Sequence, residues 1–411
     1  MSANPGSFEM MTNNSPVVVE MNGSNIKESA DVKETTTFDE MNLPENLLRG
    51  IFAYGFQKPS HIQSKAIMPM VQGRDLLAQA QSGTGKTGTF VIGSLTHVDM
   101  SNNNPQVLVL VHVHELAEQI ADVAEAIGKK MKLNVLCAVG GNPLRDDISK
   151  LEKGCQFIVG TPGRVLDLIS RNVLVRDHIK YLIMDEADEM LEVLFYQQVL
   201  QILNKGFPPT THVALLSATM PPHVLEVANR ILDNPVRVLI PPSKVRVDAI
   251  QQFYVDLERE DYKFDCICDL YKRLNITQAV IFCNKKQTAE KLADRMSAQG
   301  MPISCIHGDL EKPERKKRME EFRAGKRRVL IATDILARGI DVQQMSLVIN
   351  FELPPRQPNY MHRIGRAGRY GRTGTTINLI TAVDYPALES LCSYYEMSID
   401  PLPSDLSKLT V

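Results

Sequence analysis

No stretch of the 411-residue chain approaches the roughly 18 apolar residues of a membrane-spanning helix. Met1 to Glu20 lacks a basic stretch followed by an apolar core, so no secretory leader is expected there. An excess of one charge is also missing: 46 Lys and Arg stand against 48 Asp and Glu, a net charge of −2. That excludes a histone-like polyelectrolyte, although a local basic groove would suffice for nucleic acid. The seven cysteines are odd in number and scattered, which excludes a disulfide framework and favours a reducing compartment. Cys266 and Cys268 are separated by a single residue, the spacing of neither a zinc knuckle nor a redox pair. All seven read as small core residues. With 44% hydrophobic and 23% charged residues, the composition is that of a folded protein of two or three domains, not of a disordered or collagen-like chain.

Residues 1–37 are rich in Asn, Ser, Thr, Met and Gly without hydrophobic period, and a disordered segment is expected there. From Phe38 the pattern changes. Short apolar runs alternate with helical stretches: Val107–Val111, Phe157–Val159, Tyr181–Met184 and Val213–Leu216, then Ala279–Phe282, Val329–Ile331, Leu347–Ile349 and Thr376–Ile380. Continuous apolar strands of this kind are buried on both faces, as in a parallel sheet covered by helices. Between the two sets lies Leu239-Ile-Pro-Pro-Ser-Lys-Val-Arg-Val247, whose two prolines and lack of period predict a linker. The reading is two α/β domains, 38–240 and 248–411, joined by a short linker at 241–247, with a ligand expected in the cleft between domains.

Ala80-Gln81-Ser82-Gly83-Thr84-Gly85-Lys86-Thr87 follows the apolar Leu76–Ala78 and precedes a helical stretch. It matches a phosphate-binding loop in Gly85, Lys86 and Thr87, with Ala80 in place of the usual first glycine. Gly83 and Gly85 would turn backbone N–H groups toward phosphate oxygens, and the helix N-terminus adds a favourable dipole. Lys86 would neutralise β- and γ-phosphate charge, and the Thr87 hydroxyl would face Mg²⁺. Asp185-Glu186-Ala187-Asp188 follows the Tyr181–Met184 run. Acidic residues at the carboxyl end of a buried strand are poised for Mg²⁺ and a water. Asp185 would support the metal and Glu186 would act as general base. Alone, the acidic tetrapeptide reads better as an ordinary helix start; beside the phosphate loop it does not.

Asp185–Asp188 spells the box of the DEAD-box ATP-dependent RNA helicases, and the sequence resembles that family over nearly everything after residue 37. The resemblance implies two RecA-like parallel-sheet domains, ATP and Mg²⁺ as ligands, and backbone-directed, sequence-nonspecific contact with RNA. Phe56-Gln-Lys-Pro-Ser-His-Ile-Gln63 resembles the family's adenine motif, with Phe56 stacking on the base, Gln63 reading its edge and Phe38 as the upstream aromatic. The whole loop from Ala80, Gln81, Ser82, Gly83, Thr84 and Gly85 to Lys86 and Thr87 would wrap the phosphates. Gly140-Gly141 and Thr161-Pro-Gly-Arg164 resemble RNA-backbone elements, joined in the second domain by Gly308, Arg315 and Thr333. Ser217-Ala-Thr219 resembles the segment that couples hydrolysis to RNA, in which Asp188 and His362 would share. Asp341 would accept from the ribose. Arg366 and Arg369 in His362–Arg369 would be arginine fingers, each class of finger typically worth about 10³–10⁵ in rate. For any one RNA candidate, a turn or capping role fits the residue as well.

Three departures stand out. The family's Pro-Thr-Arg-Glu-Leu segment reads His112-Val113-His114-Glu115-Leu116; a Gly-Phe pair is replaced by Leu194-Phe195, after an atypical Glu192 and Val193; and the Gln of Gln-x-x-Arg is Lys312, with Arg315 kept. None touches the ATP chemistry. The resemblance implies an ATP-hydrolysing RNA helicase that unwinds messenger RNA structure in translation initiation. It also implies a cytoplasmic location, a scaffold protein of the cap-binding complex as partner, a monomer in isolation and no membrane. An ATP-gated RNA clamp or assembly factor with little unwinding remains the alternative. A small-molecule kinase on the same loop is disfavoured by Arg366, Arg369 and the duplicated α/β pattern.

Overall fold

The apolar runs become neighbouring strands at the centre of two parallel sheets. A computed structural model describes residues 28–30, 32–81, 83–191, 193–239, 250–274, 276–334, 345–367, 374–406 and 409. The chain divides between Ile240 and Pro241 into two compact units; the expected linker at 241–247 lies outside the described residues.

In the first unit α1 (Glu45–Tyr54) and α2 (His61–Val71) precede β1 (Leu76–Gln79) and α3 (Lys86–Leu95). Then come β2 (Val107–Leu110), α4 (His114–Gly128), β3 (Val135–Ala138), α5 (Leu144–Lys153), β4 (Phe157–Gly160) and α6 (Pro162–Ser170). The unit closes with β5 (Tyr181–Asp185), α7 (Ala187–Met190), α8 (Val193–Asn204), β6 (His212–Ser217), α9 (Pro222–Ile231) and β7 (Val236–Leu239). The seven strands are parallel in the order β3-β4-β2-β5-β6-β1-β7. Strands β2, β4 and β5 are buried along their whole length, as their unbroken apolar runs require.

The second unit runs β8 (Ile250–Asp256), α10 (Tyr262–Arg273), β9 (Ala279–Phe282), α11 (Lys286–Ala298), β10 (Ile303–Ile306), α12 (Lys312–Arg323) and β11 (Val329–Ala332). It continues with β12 (Leu347–Asn350), α13 (Gln357–Ile364), β13 (Gly374–Ile380), α14 (Tyr385–Tyr395) and the two-residue β14 (Asp400–Pro401). Its order, β10-β11-β9-β12-β13-β8-β14, repeats that of the first sheet strand for strand when β8 is matched to β1. The α/β class and the duplication are therefore those implied by the sequence. Strands β3, β7, β8 and β10 had no separate signal. β8, Ile-Gln-Gln-Phe-Tyr-Val-Asp, is only partly buried and mixes polar with apolar side chains.

Two expectations need correcting. The segment before Phe38 is not free up to residue 37: Ser29 N–H donates to Arg237 O at 3.0 Å, Arg237 N–H to Ser29 Oγ at 2.9 Å, and Thr35 N–H to Ser64 O at 3.0 Å. These are polar and main-chain bonds, which leave no hydrophobic period to read. Nor are all cysteines core residues: Cys155, Cys268, Cys283 and Cys305 are buried, but Cys137, Cys266 and Cys392 are half-exposed. No helix among the described residues is long and apolar enough to cross a membrane.

Helix α1 crosses α4 with no clearance at Gly50, where an added Cβ would lie 1.9 Å from the Ile127 carbonyl oxygen. Backbone cannot yield as a side chain can. Gly50→Ala should therefore lower stability by about 1–3 kcal/mol, as overpacking does. Urea unfolding should show an earlier midpoint at unchanged slope; an unchanged midpoint would mean that the two helices are not in such close contact.

Candidate active site

In the first sheet β5, β6 and β1 are adjacent, so the segments leaving their carboxyl ends meet. Those segments are Asp185–Asp188, Ser217–Thr219 and the loop from Ala80. The loop turns through Gly83 at φ +80° and Gly85 at φ +107°, conformations that side chains rarely adopt, and Gly85 caps α3. Its main-chain amides thus enter a helix N-terminus, a favourable place for anions. Lys86 is 5% exposed, and its Nζ donates to Ala80 O at 3.0 Å and to Glu186 Oε1 at 3.4 Å. Thr87 is half-buried on the next step of the helix.

Asp185 and Glu186 are buried too. Burial pushes the Asp185 carboxyl well above the usual carboxylate range; Lys86 opposes the rise, and the charges of Glu186 and Asp188 add to it. The Asp185 Oδ1 accepts from Glu186 N–H at 2.9 Å. Glu186 itself sits at φ +52°, in the left-handed region, where it caps α7. Asp188, two residues on, is tied to the β6 end: its N–H donates to Ser217 Oγ at 3.3 Å, and Thr219 Oγ1 donates to its Oδ2 at 2.5 Å. The structure thus brings Asp188, Ser217 and Thr219 together.

The adenine-motif residues are built against this loop. Gln63 Oε1 accepts from Ser60 N–H at 2.9 Å, closing the start of α2, and its Nε2 donates to Gly85 O at 3.3 Å. Phe56 stacks on the buried Phe38, with ring centroids 6.3 Å apart and planes 17° from parallel, and meets Tyr54 edge-on at 4.9 Å. Gly88, which sequence reasoning passed over, makes this possible. A Cβ there would meet Gln63 Nε2 at 2.5 Å and Phe56 Cε2 at 2.9 Å. Its only sequence signal is its place directly after Lys86-Thr87.

The other half of the sheet edge, β3-β4-β2, carries the RNA candidates of this unit. Gly140, Thr161 and Arg164 line one cavity of about 470 Å³ together with His112, His114, Gly163, Asp167, Phe195 and Gln198. Gly141 stands beside it, exposed, at φ +82°. Arg164 is held by the buried carboxylate of Asp147 and donates to Asn142 O at 2.6 Å. Burial pushes the Asp147 carboxyl up, against the pull of Arg164. Asp147 had no sequence signal.

The second unit places Gly308 in an exposed turn after β10, and Thr333 after β11 with its N–H on Ile306 O at 3.4 Å. Arg315, on α12, donates to Leu310 O at 3.2 Å. His362 and Arg366 are 1% and 2% exposed, and Arg366 Nε donates to His362 O at 3.3 Å. The residue that sequence reasoning missed here is Arg363. It is fully buried and donates to Asp334 Oδ1 at 2.5 Å, Asn284 Oδ1 at 2.7 Å, Glu352 O at 2.8 Å and Asn350 Oδ1 at 3.2 Å. A basic residue among glycines and arginines gave no sign that it was a core group. Ser82, Asp341, Arg369 and Glu192, and the side chains of Val193, Leu194 and Lys312, lie outside the described residues.

Known proteins share this architecture. The family model for the DEAD/DEAH box helicase matches residues 60–227, and that for the helicase conserved C-terminal domain matches residues 262–371. Eukaryotic initiation factor 4A of Caenorhabditis elegans is 48% identical over 373 residues, which cover 91% of this chain and 92% of that one. The ATP-dependent RNA helicase eIF4A of Candida glabrata is 50% identical over 392 residues, 95% and 98% of the two chains. Among solved structures, S. cerevisiae Dbp5 bound to RNA and ADP BeF3 is 36% identical with a TM-score of 0.83, covering 91% of this chain and 97% of that one.

The Thr219 hydroxyl reaches a buried carboxylate, so its loss is costly. Thr219→Val should destabilise the protein by about 1–3 kcal/mol, the cost of removing a donor from a buried polar group. Chemical denaturation with intrinsic fluorescence would measure it, and an unchanged midpoint would show that the bond to Asp188 contributes nothing.

Proposed function

The chain belongs to the DEAD/DEAH box helicases, and from that premise we propose that it uses ATP to unwind structure in messenger RNA during translation initiation. It is an ATP-dependent RNA helicase of the initiation factor 4A type. The observation that carries the mechanism is the joint burial of Lys86, Asp185 and Glu186 beside a glycine loop that opens a helix.

Phe56 stacks on adenine and Gln63 reads its edge. Ala80, Gln81, Ser82, Gly83, Thr84 and Gly85 cradle the phosphates with main-chain amides, and Lys86 neutralises them. Thr87 and Asp185 would hold Mg²⁺. A buried carboxylate whose ionisation is disfavoured by burial suits a divalent cation, and the ion when bound neutralises phosphate charge. Glu186 takes a proton from water as the water oxygen attacks the γ-phosphorus; the bond to the β,γ-bridging oxygen breaks, and ADP and phosphate leave. Arg366 and Arg369 of the second unit neutralise charge on the γ-phosphoryl oxygens, and Asp341 accepts from the ribose. Gly140, Gly141, Thr161, Arg164, Gly308, Arg315 and Thr333 hold RNA through phosphates and 2′-hydroxyls, independent of sequence. Because hydrolysis needs groups from both units, ATP and RNA binding are coupled, through Asp188, Ser217, Thr219 and His362. The chain acts in the cytoplasm as a monomer recruited by a scaffold protein of the cap-binding complex.

Two substitutions test this chemistry. Glu186→Gln removes only the proton acceptor, so ATP affinity should hold while RNA-stimulated turnover falls by about 10²–10⁴. Equal turnover would sink the assignment. Arg366→Ala should cut RNA-stimulated hydrolysis by about 10³ or more and leave nucleotide affinity in place. If ATP turnover with and without RNA is unaltered, the finger role is wrong. A duplex-unwinding assay on the unaltered chain, run beside the turnover assay, separates a helicase from an ATP-gated clamp.

A further inference from the structure

Gln63 can discriminate between bases only if its amide is held in one orientation. Its Oε1 accepts from Ser60 N–H at 2.9 Å, and its Nε2 donates to Gly85 O at 3.3 Å. A carboxamide has two acceptor lone pairs and two N–H donors, so one of each remains for a base. Adenine offers a donor and an acceptor side by side at N6 and N7, whereas guanine offers two acceptors there. An amide that cannot turn over fits adenine and sets its own oxygen against the guanine oxygen. The amide moves with α2, and the hydrogen-bond ladder of α2 is interrupted. The helix carries Pro69, which has no N–H for the Lys65 carbonyl and presses its ring against that group.

The chain ahead of Phe38 grips α2 at that interrupted step. The Lys65 side chain is 13% exposed, and its Nζ lies 2.9 Å from Glu28 Oε1, 3.2 Å from Glu28 Oε2 and 3.5 Å from Glu34 Oε1. Burial opposes the Lys65 charge, but Glu28 and Glu34 outweigh it and raise its pKa above the ordinary lysine value. Thr35 N–H donates to Ser64 O at 3.0 Å, and Glu34 Oε1 also lies 3.6 Å from Nδ1 of His61, the first residue of α2. Further back, Ser29 is bonded twice to Arg237 of β7, through its N–H and its hydroxyl oxygen. Strand β7 pairs with β1 from Leu76 to Gln79, and β1 leads into the loop that carries Gly85. The helix that bears Gln63 is therefore tied to the sheet edge that bears its partner loop.

We propose that Glu28, Glu34 and Lys65 are positioning residues for base selectivity: by clamping α2 to the sheet edge they hold the Gln63 amide in the orientation that accepts adenine and rejects guanine. The proposal rests on the reading of Gln63 as the adenine contact and adds residues outside that motif, which act through it. With the clamp opened, α2 gains the small freedom that lets the amide turn or withdraw. Adenine then loses a well-aligned pair of hydrogen bonds, and the clash with the guanine oxygen is relieved. Contacts to the phosphates are common to both nucleotides and cancel in the ratio of their affinities. That ratio therefore isolates the clamp.

The test is isothermal titration of the full chain with ADP and with GDP, which carry the same phosphates and differ in the base. The unaltered chain should prefer ADP. Glu28→Gln with Glu34→Gln removes both charges at nearly constant volume and should lower the ADP-to-GDP affinity ratio by about 3–10-fold, the scale of one net hydrogen bond. Lys65→Gln opens the same clamp from the helix side and should lower the ratio alike, which keeps the test in force if the double variant fails to fold. Lys65→Arg keeps the charge and can reach two carboxylates, so it should hold the ratio. Thermal unfolding reports the stability of each variant. An unchanged ratio in the folded variants, even with a lower unfolding midpoint, means that the segment only braces the fold, and it overturns the proposal. A ratio lost equally in Lys65→Arg and Lys65→Gln overturns it as well. If the unaltered chain binds ADP and GDP alike, the adenine role of Gln63 fails instead.

Discussion

The proposed nucleotide site depends on one buried cation. Lys86 is enclosed with two carboxylates, and each of the three would be hard to bury alone. At 3.4 Å, the Lys86–Glu186 attraction is worth about 5 kcal/mol at an effective dielectric of 20. Removing one partner of such a group leaves a buried charge uncompensated, which typically costs about 3–5 kcal/mol. The strand order makes this arrangement unavoidable. With only β6 between β5 and β1, the acidic segment and the phosphate loop leave the same edge of the sheet one strand apart. A loop whose amides and lysine face inward then has a site for a polyanion, and the acidic pair has a site for a cation. Substrate and metal ion would each relieve the burial of charges of opposite sign.

The second unit applies the same principle with the signs arranged differently. There Arg363 is the enclosed cation, and the groups that hold it, Asn284, Asp334, Asn350 and the Glu352 carbonyl, lie at or just beyond the carboxyl ends of β9, β11 and β12. These are the counterparts of β2, β4 and β5 in the first sheet. Five donors in a planar fork can reach carboxylate, amide and carbonyl acceptors together, as an ammonium cannot. The guanidinium also lies 5.3 Å from the Phe282 ring. The duplicated sheet thus places the proposed catalytic groups at the carboxyl ends of its strands in one copy and, in part, uses those ends for cohesion in the other.

What the sequence disclosed follows from how locally each feature is encoded. The α/β class was legible because fully buried strands are unbroken apolar runs, as in Val107–Leu110 and Leu347–Asn350. The phosphate loop and the acidic box were legible because their chemistry is packed into a few consecutive residues. Strand β8 was not, since a half-buried edge region mixes polar and apolar side chains. Asp147 and Arg363 were invisible for a different reason. Each is polar by type and buried by partners far away in sequence, 17 residues for Asp147 and up to 79 for Arg363. Gly88 belongs with them: its role is the absence of a Cβ where Phe56 and Gln63 pass. Only the folded chain shows what that space is for.

Glu186 is held in a conformation that its own residue type opposes. A glutamate at φ +52° stands in a region that costs a side-chain-bearing residue about 1–3 kcal/mol. Local preference therefore works against the conformation, and something around it must hold it. Three constraints are on hand. The Asp185 carboxylate accepts the Glu186 N–H, the short helix α7 starts from its carbonyl through the Glu189 N–H at 3.0 Å, and Asp188 is fastened to Ser217 and Thr219. The first fixes Glu186 to the strand end, and the last fixes the next turn to β6. In this conformation the Glu186 Oε1 accepts from Lys86 Nζ at 3.4 Å. The link from Thr219 to Asp188 is thus also a constraint on the proposed general base two residues away. A shift of Ser217–Thr219 would be felt at Glu186 as a change in backbone strain, and that gives Ser217–Thr219 a physical means of coupling the acidic segment to events elsewhere in the unit.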